Sequence, residues 1–508
     1  MKILDCTLRD GGYYTQWDFS DEVVTTYLQA VNELPVDYIE VGYRNLPEKE
    51  YLGKYGYTPV STAKWLRSNC RKKIALMLNE KSVRVEHLDE LLTPIAGLAD
   101  MIRLAVDPKN FCRAVGLARA IKARGFEIGF NVMYMSKWQD MPEFLEHLSE
   151  ANEVATVFCM VDSYGGVMPE DVIKITRLVK EQLSCPIGFH GHNNLHMALA
   201  NALTAVAHGV EFIDATVCGM GRGAGNLELE LLLSVLSRNG VLVDFNILSD
   251  VVAAFSPLQK QYGWGATLPY MISGANSLPQ KQVMDWISNR TYTFNSIVRA
   301  LDNQTAGVKD NAKYSVLNGQ KAKEVLVLGG GVSIPLHAPA LRQYLEEHPE
   351  TVVIFASARR VADLEGLSNP CYYCLVGSEA KRLRANIADY TRERVCVLPP
   401  YPRQMGSEVP DLPHTRVYEL KEISFTDEYT DACTAVALQL AIDLSAETIY
   451  ISGYDGYVGG VLSEKERTLS RENIALFDNF KAHTGRKLIA LTPTLYAALE
   501  KQSIYQHI

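Results

Sequence analysis

Apolar and polar positions alternate with a regular beat over the first 240 residues. Short β-branched or apolar runs come at 2–8 (KILDCTL), 37–43 (DYIEVGY), 73–79 (KIALMLN), 101–107 (MIRLAVD), 127–135 (EIGFNVMYM), 156–163 (TVFCMVDS), 186–192 (PIGFHGH) and 212–219 (FIDATVCG). Each reads as a strand of a sheet covered on both faces. Between them lie stretches with helical spacing, most clearly DEVVTTYLQAVNEL, FCRAVGLARAIKARG, EDVIKITRLVKEQL and HMALANALTAVAHG. The second of these ends in Lys122, Arg124 and Gly125, a good helix stop. A doubly wound open sheet uses similar units, but eight strand–helix repeats over about 240 residues match the count of a closed (β/α)8 TIM barrel.

The beat then changes. Residues 241–305 read as a helical extension capping the barrel, with QKQVMDWISNR and TFNSIVRAL as short helices. Residues 306–323 are polar and lack apolar periodicity, as a linker does. A second β/α series fills 324–508. EVLVLGGGVSI is a strand and glycine turn, HAPALRQYLEEH a helix, and TVVIFAS, CYYCLVGS and VCVLPP are strands. A long helix then feeds the strand ETIYIS, and KLIALTPT is read as the last strand. This series predicts a Rossmann-like α/β domain.

Composition narrows the function classes. The chain has 508 residues, too many for one ordinary core. It is 47% apolar and 21% charged with a net charge of −9, which disfavours a nucleic-acid partner. No run of 18 apolar residues predicts a transmembrane helix, and MKILDCTLRDGG lacks the apolar core of a signal peptide. Ten scattered cysteines are not a disulfide framework, and a reducing cytoplasm is the expected compartment. Cys371 and Cys374 form a lone C-x-x-C without the second pair of a zinc knuckle, so buried thiols in a strand are expected.

In a barrel, chemistry sits at the C-terminal ends of the strands. Those ends carry Arg9 and Asp10; Glu40, Tyr43 and Arg44; Asn79; Arg103; Asn131 and Tyr134; Asp162 and Ser163; His190 and His192; and Asp214. His190 and His192 stand at i and i+2 of one strand, so both imidazoles face the same way. Asp10, expected at the end of the first strand, is at the same rim. Two histidines and one carboxylate with open positions suit a divalent cation. The loop CGMGRGAGN (218–226) offers four glycines whose N–H groups could meet an anion, and it lets Asn226 approach the metal as a weak oxygen ligand. None of the strand ends carries a lysine for an imine, Lys137 lying past strand five, so a carbonyl would be polarised by metal.

The motifs CTLRDGGYY, YIEVGY, VDSYGG, GFHGHNNL and VCGMGRGAGNLELE resemble, in order and spacing, the metal-dependent aldolase/lyase barrels. That group includes 4-hydroxy-2-oxovalerate aldolase, 3-hydroxy-3-methylglutaryl-CoA lyase and isopropylmalate synthase, and the aldolase branch is the most similar. The resemblance covers about residues 1–240. It implies a carbon–carbon lyase acting beside a 2-oxo acid such as pyruvate, with an aldehyde or acyl partner and a homodimeric or larger assembly. Asp10, His190 and His192 would hold Mn²⁺ or Mg²⁺, with Zn²⁺ or Co²⁺ also admitted. Arg9 would stabilise the enolate oxygen, and Ser163 would lie beside the substrate carboxylate. Tyr43, Arg103 and Asn131 are further substrate-binding candidates, and Gly11 and Gly12 would let the backbone clear the substrate.

Two departures stand out. The family's motif Leu-Arg-Asp-Gly-x-His ends in a histidine base, and the matching position here is Tyr13. A phenol titrates near pH 10, so Tyr13, Tyr14 or Tyr43, or else a metal-bound water, would act as a proton relay rather than a simple base. The branch's later helical tyrosine finds no clear counterpart in MISGANSLPQ, and Cys218 is one place out of register with the lyase cysteine. In the second series, TAVALQLAIDLSAETIYISGYDGY is similar to a helix–strand–Gly-x-Asp pattern of bacterial sialyltransferase-like and pterin-pyrophosphokinase-like domains. That resemblance implies an alternative function, binding or transfer of a nucleotide or nucleotide sugar, with Gly329, Gly330, Gly331 and Asp455 as the candidate site.

Overall fold

The computed structural model describes residues 1–49, 51–288, 294–307, 313–318, 321–377, 379–387, 389, 391–403, 407–457 and 464–508. It divides into two compact units, Met1–Met284 and Asp285–Ile508. Part of the expected linker lies outside the described residues.

In the first unit eight parallel strands close into a barrel: β1 (Lys2–Asp5), β2 (Tyr38–Tyr43), β3 (Lys73–Asn79), β4 (Met101–Val106), β5 (Glu127–Val132), β6 (Val157–Asp162), β7 (Ile187–Gly191) and β8 (Phe212–Ala215). β8 returns to β1, with Lys2 opposite Phe212 and Asp5 opposite Ala215. The predicted TIM barrel is present.

The two-residue period of a strand explains what fills it. Outward residues such as Ile3, Ile39, Ile74 and Ile102 join the large core under the helices. Inward residues form an apolar plug of Leu4, Cys6, Tyr38, Ala75, Met101, Val157 and Phe212. Two residues further along the same inward rows the character switches to Glu40, Arg103, Asn131, His190 and Asp214, all buried. A polar layer thus sits on an apolar floor. Gly129 leaves room for it, since a Cβ there would come 2.8 Å from Cγ of Arg103.

The runs at 2–8, 127–135 and 212–219 were expected to stay extended, and they do not. Each chain leaves the ladder at the rim. After β1 the Asp5 carboxylate accepts from the Thr7 N–H (2.9 Å) and the Tyr27 hydroxyl (2.5 Å), and the chain turns into the helix Thr7–Thr15. Tyr134 and Cys218 take left-handed φ values of 61° and 54° where the other two runs turn. Arg9 and Asp10 therefore lie on the first turns of a helix, not at a strand end.

Beyond the barrel come the helices Phe245–Tyr262, Leu268–Ala275 and Gln280–Ser288. The first packs on the helix Asp21–Glu33, with the rings of Tyr27 and Phe255 6.1 Å apart. The second is tied to the barrel rim by Asn194, whose side chain donates to the Tyr270 carbonyl at 2.9 Å.

The second unit carries an all-parallel sheet of β9 (Glu324–Leu328), β10 (Val352–Phe355), β11 (Cys371–Cys374), β12 (Arg394–Leu398), β13 (Thr415–Glu419), β14 (Thr448–Ser452), β15 (Ile489–Ala490) and β16 (Glu500–Lys501). The spatial order is β13-β12-β11-β10-β9-β14-β15-β16, so the winding reverses between β9 and β14. KLIALTPT is not the last strand. Two-residue β16 follows it, fully exposed and too short and polar to show a pattern. Edge strand β13 (TRVYE) escaped notice for the same reason. Cys371 and Cys374, three apart on β11, fall on opposite faces and join different apolar clusters.

Candidate metal centre and active site

Asp10, His190 and His192 come together at the barrel mouth, with one ligand atom from each within 4.8 Å of the others and all three buried. Nε2 of His190 lies 3.8 Å from Oδ2 of Asp10. The far nitrogen of each imidazole is already committed. Nδ1–H of His190 donates to the Asp214 carboxylate at 2.9 Å, and Nδ1–H of His192 donates to the Asp162 carbonyl at 2.7 Å. These bonds fix the tautomer and leave Nε2 of each imidazole as its free lone pair, the usual support of a metal-ligating histidine. Burial and the neighbouring His190 push the His192 imidazole down to about 3, so it stays a neutral ligand at pH 7.

The carboxylates are tied to guanidinium groups in a closed circuit. Arg9 donates through NH1 to Asp10, and through Nε to Glu40 at 2.8 Å. Arg103 donates to the same Glu40 oxygen at 3.1 Å and to Asp214 at 2.7 Å. Asp214 leads through His190 back to Asp10. Burial works against the Asp10 and Asp214 charges. Arg9 and the two histidines outweigh it at Asp10, and Arg103 and His190 at Asp214, so both carboxyls sit below the ordinary range. Within this circuit three carboxylates outnumber two guanidinium groups by one, which suits a divalent cation.

The fit to a cation can be judged on orphaned atoms. Asn226 donates to Oδ2 of Asp10 at 2.6 Å, while its own buried Oδ1 has no partner. A carbonyl oxygen left bare beside a carboxylate and two imidazoles is a donor awaiting an acceptor. Oε1 of Glu40 and Oδ1 of Asn131 are also buried without partners. The donor set therefore fits a divalent metal, with Asn226 at its edge.

The remaining candidates divide by place. Ser163 is buried after β6, and its hydroxyl accepts from the Tyr134 N–H at 2.9 Å, leaving its proton free to donate. Tyr13 stands at the rim and meets the Tyr43 hydroxyl at 3.2 Å. Burial pushes the Tyr43 phenol up, so it is a donor at neutral pH. Arg103 lies in the ion-pair layer beneath the mouth. Arg44 turns away to bind the carbonyls of Leu91, Tyr57 and Thr58, and Asn79 caps a turn at Lys81.

Two expectations about glycines are corrected. Gly11 and Gly12 make room for protein rather than substrate, since Cβ atoms there would strike the Met220 sulfur at 2.5 Å and the Trp17 ring at 2.1 Å. Three of the four glycines in the loop 218–226 do not offer their amides freely. Gly219 and Asn226 spend their N–H groups on carbonyls of Thr216 and Gly219, Gly225 spends its own on Arg222, and Gly223 faces the Met284 sulfur.

Sequence reasoning missed three residues. Tyr270, one place ahead of MISGANSLPQ, is buried and hydrogen-bonds Tyr14, whose hydroxyl also meets the Gly223 carbonyl at 2.8 Å. Thr267 followed by Pro269 was the available signal of a helix start that would place Tyr270. Gln280 donates to Oδ1 of Asn194 (2.9 Å) and to the Ser163 carbonyl (3.3 Å). Arg222 stacks on Tyr13, its guanidinium carbon 5.3 Å from the ring centre. In the second unit, Asp455 accepts from the Ser333 N–H (2.9 Å) and hydroxyl, and a Cβ on Gly331 would come 2.6 Å from the Asp455 oxygens. Gly329 and Gly331 donate to the Ser452 and Gly453 carbonyls, so that candidate set is gathered between β9 and β14.

Residues 100–254 match the HMGL-like family. A 4-hydroxy-2-oxovalerate aldolase of Geobacillus genomosp. 3 is 31% identical over 50% of this chain and 75% of its own length. An oxaloacetate decarboxylase of Mycobacterium tuberculosis is 29% identical over 55% of this chain and 84% of its own. A crystal structure described as "the N-terminal domain of a putative aldolase from Bacteroides vulgatus" is 58% identical, with a TM-score of 0.57, over 59% of this chain and 100% of that one.

Proposed function

The chain belongs to the HMGL-like family of metal-dependent TIM-barrel aldolases and lyases, and on that premise we propose that its barrel makes or breaks a carbon–carbon bond next to a 2-oxo acid of the pyruvate type. The observation that carries this reading is the buried triad Asp10, His190 and His192, with both Nδ1 atoms committed and both Nε2 atoms left as free lone pairs. Asp10, His190, His192 and, more weakly, Asn226 would hold Mn²⁺ or Mg²⁺, and the bound cation supplies Lewis-acid polarisation of the 2-oxo group.

The chain's own residues do the rest. Arg9, held by Asp10 and Glu40, keeps a fixed guanidinium beside the oxygen on which charge develops. Ser163 has a hydroxyl proton to give the substrate carboxylate, while the unpaired Asn131 oxygen can accept only from a substrate hydroxyl. In the cleavage direction the 4-hydroxyl proton leaves through the Tyr13–Tyr43 hydroxyl pair. The C3–C4 bond breaks, the aldehyde departs, and the electron pair passes to the C2 oxygen until a proton returns to C3. Arg103 acts through Glu40 and Asp214 as a positioning residue.

The direct test is exchange of the pyruvate methyl protons with deuterium oxide, followed by proton NMR with Mn²⁺ or Mg²⁺ added. Metal-dependent exchange that is lost in Arg9→Lys is expected. A wild-type protein that retains no divalent metal and exchanges nothing sinks the reading.

The second unit reads as Rossmann-like. Support comes from the reversal of strand order between β9 and β14, where Gly329 lies against Gly453 and Gly331 against Asp455, while Gly330 faces Ser357 and Arg359. Calorimetric titration with cytidine and adenosine nucleotides tests that site, and absence of heat with either removes it.

A further inference from the structure

Arg222 is the one long side chain in the stretch GMGRGAG between Met220 and Asn226. It is anchored at its backbone. Gly221 before it passes so close to the triad that a Cβ would sit 2.8 Å from Oδ2 of Asp10 and 2.3 Å from Nδ2 of Asn226. Gly223 and Gly225 after it take left-handed φ values of 69° and 81°, and the Gly225 N–H closes a turn on the Arg222 carbonyl at 3.3 Å. This winding leaves the guanidinium to lie over the Tyr13 ring.

Every other guanidinium at the mouth is paired, Arg9 with Asp10 and Glu40, and Arg103 with Glu40 and Asp214. Arg222 is not. Among the described residues no carboxylate pairs with it, and its Nε is buried without a hydrogen-bond partner. The surroundings are aromatic. Tyr13 packs edge-on against Trp17, which packs edge-on against Tyr43. Stacking on an aromatic face gives a guanidinium some compensation but leaves its N–H fork open to an anion.

Position says which end of a substrate this fork would meet. Tyr13 follows β1 and Arg222 follows β8, neighbours in the ring, whereas Ser163, which faces the carboxylate of the 2-oxo acid in the lyase reading, follows β6. Tyr13 is 37% exposed, so this side opens outward. Building on the lyase reading, we propose that Arg222 anchors an anionic group, a carboxylate or a phosphate, on the aldehyde partner of the carbon–carbon bond. The barrel thereby selects charged aldehydes over neutral ones.

The test compares wild type, Arg222→Ala and Arg222→Lys in condensation of pyruvate with propanal, succinic semialdehyde and glyceraldehyde 3-phosphate. Wild type is expected to favour one charged aldehyde over propanal by at least about tenfold in kcat/KM, the scale of one charge-assisted contact. The carboxylate and phosphate arms identify the source. In Arg222→Ala the preference disappears, mainly through KM, and Arg222→Lys restores part of it. No preference in wild type, or equal losses for charged and neutral aldehydes, overturns the proposal, the second outcome assigning Arg222 to the 2-oxo acid or to the fold.

A titration independent of turnover accompanies it. Inorganic phosphate binding to the EDTA-treated protein, measured by calorimetry, should weaken at least about tenfold in Arg222→Ala, and equal binding overturns the anchor. Deuterium exchange into pyruvate by wild type reports separately on the lyase reading. If exchange is absent, that reading falls and the phosphate titration still decides the anchor.

Discussion

In the barrel, the buried carboxylates of Asp10, Glu40 and Asp214 are answered by guanidinium and imidazole groups, and oxygens of Glu40, Asn131 and Asn226 are left over. In the second unit Asp455 is answered by a neighbouring loop, while Glu379 also meets Arg382 and Glu419, at the end of β13, meets Arg403. Asp455 takes the Ser333 N–H and hydroxyl, and Glu379 takes the Ala358 N–H at 2.7 Å. Both regions are parallel sheets with polar groups at their C-terminal ends. They differ in whether that end is self-sufficient. A carboxylate that caps a neighbouring loop stabilises a fold, while one that shares cations and leaves lone pairs bare prepares for a ligand.

Substitutions can break or sharpen this contrast. The largest effect is expected for Asp10→Ala or His190→Ala, which should lose bound metal and turnover together, read by elemental analysis beside the deuterium-exchange assay. Metal retained in both would dissolve the distinction. Next, Arg9→Lys should keep the metal but lower kcat by about 10²–10³-fold, because a point charge replaces a fork held by two carboxylates. Asp214→Asn should weaken metal binding by about 10–100-fold, measured by competition with a chelating dye, since His190 is then oriented by a neutral amide oxygen instead of a charged acceptor.

Smaller effects test the self-sufficient acids. Asp455→Ala should cost the second unit about 1 kcal/mol in denaturant unfolding, the scale of a lost cap. A null result would mean that the carboxylate is held for a ligand instead.

Glu230 gives the smallest effect and a defined sign. Burial raises its carboxyl from 4.5 to about 7, and it accepts the Cys218 N–H at 3.0 Å. The folded state then binds more protons than the unfolded one between those values, so this group lowers stability as pH rises from 4.5 through 7. Glu230→Gln, which can still accept that N–H, should raise the barrel's unfolding free energy at pH 8 by on the order of 1 kcal/mol, read in denaturant unfolding, and leave it unchanged below pH 4.5. A benefit that grew as pH fell would contradict the burial argument.

Much of the first unit was legible because one physical rule repeats. Apolar runs of strand length, bounded by helical spacing, located all eight barrel strands, and the i, i+2 histidines announced a shared face. What was not legible depended on turns. The apolar run through Leu8 hid the helix that begins at Thr7, because the Asp5 carboxylate that ends β1 acts through Tyr27, far along the chain. Arg222 looked like one residue in a glycine loop until the winding brought it over Tyr13. Tyr270 depended on where the helix after the barrel lands. In the second sheet, two-residue β16 and polar β13 carried too little pattern to read.

The circuit from Asp10 through Arg9, Glu40, Arg103, Asp214 and His190 has no free end. Each member answers to two neighbours, so replacing any one leaves a buried group on either side with a single partner. Such a floor is hard to alter one residue at a time. Tyr13 and Arg222 stand outside it, and new chemistry can be tried there without disturbing the foundations.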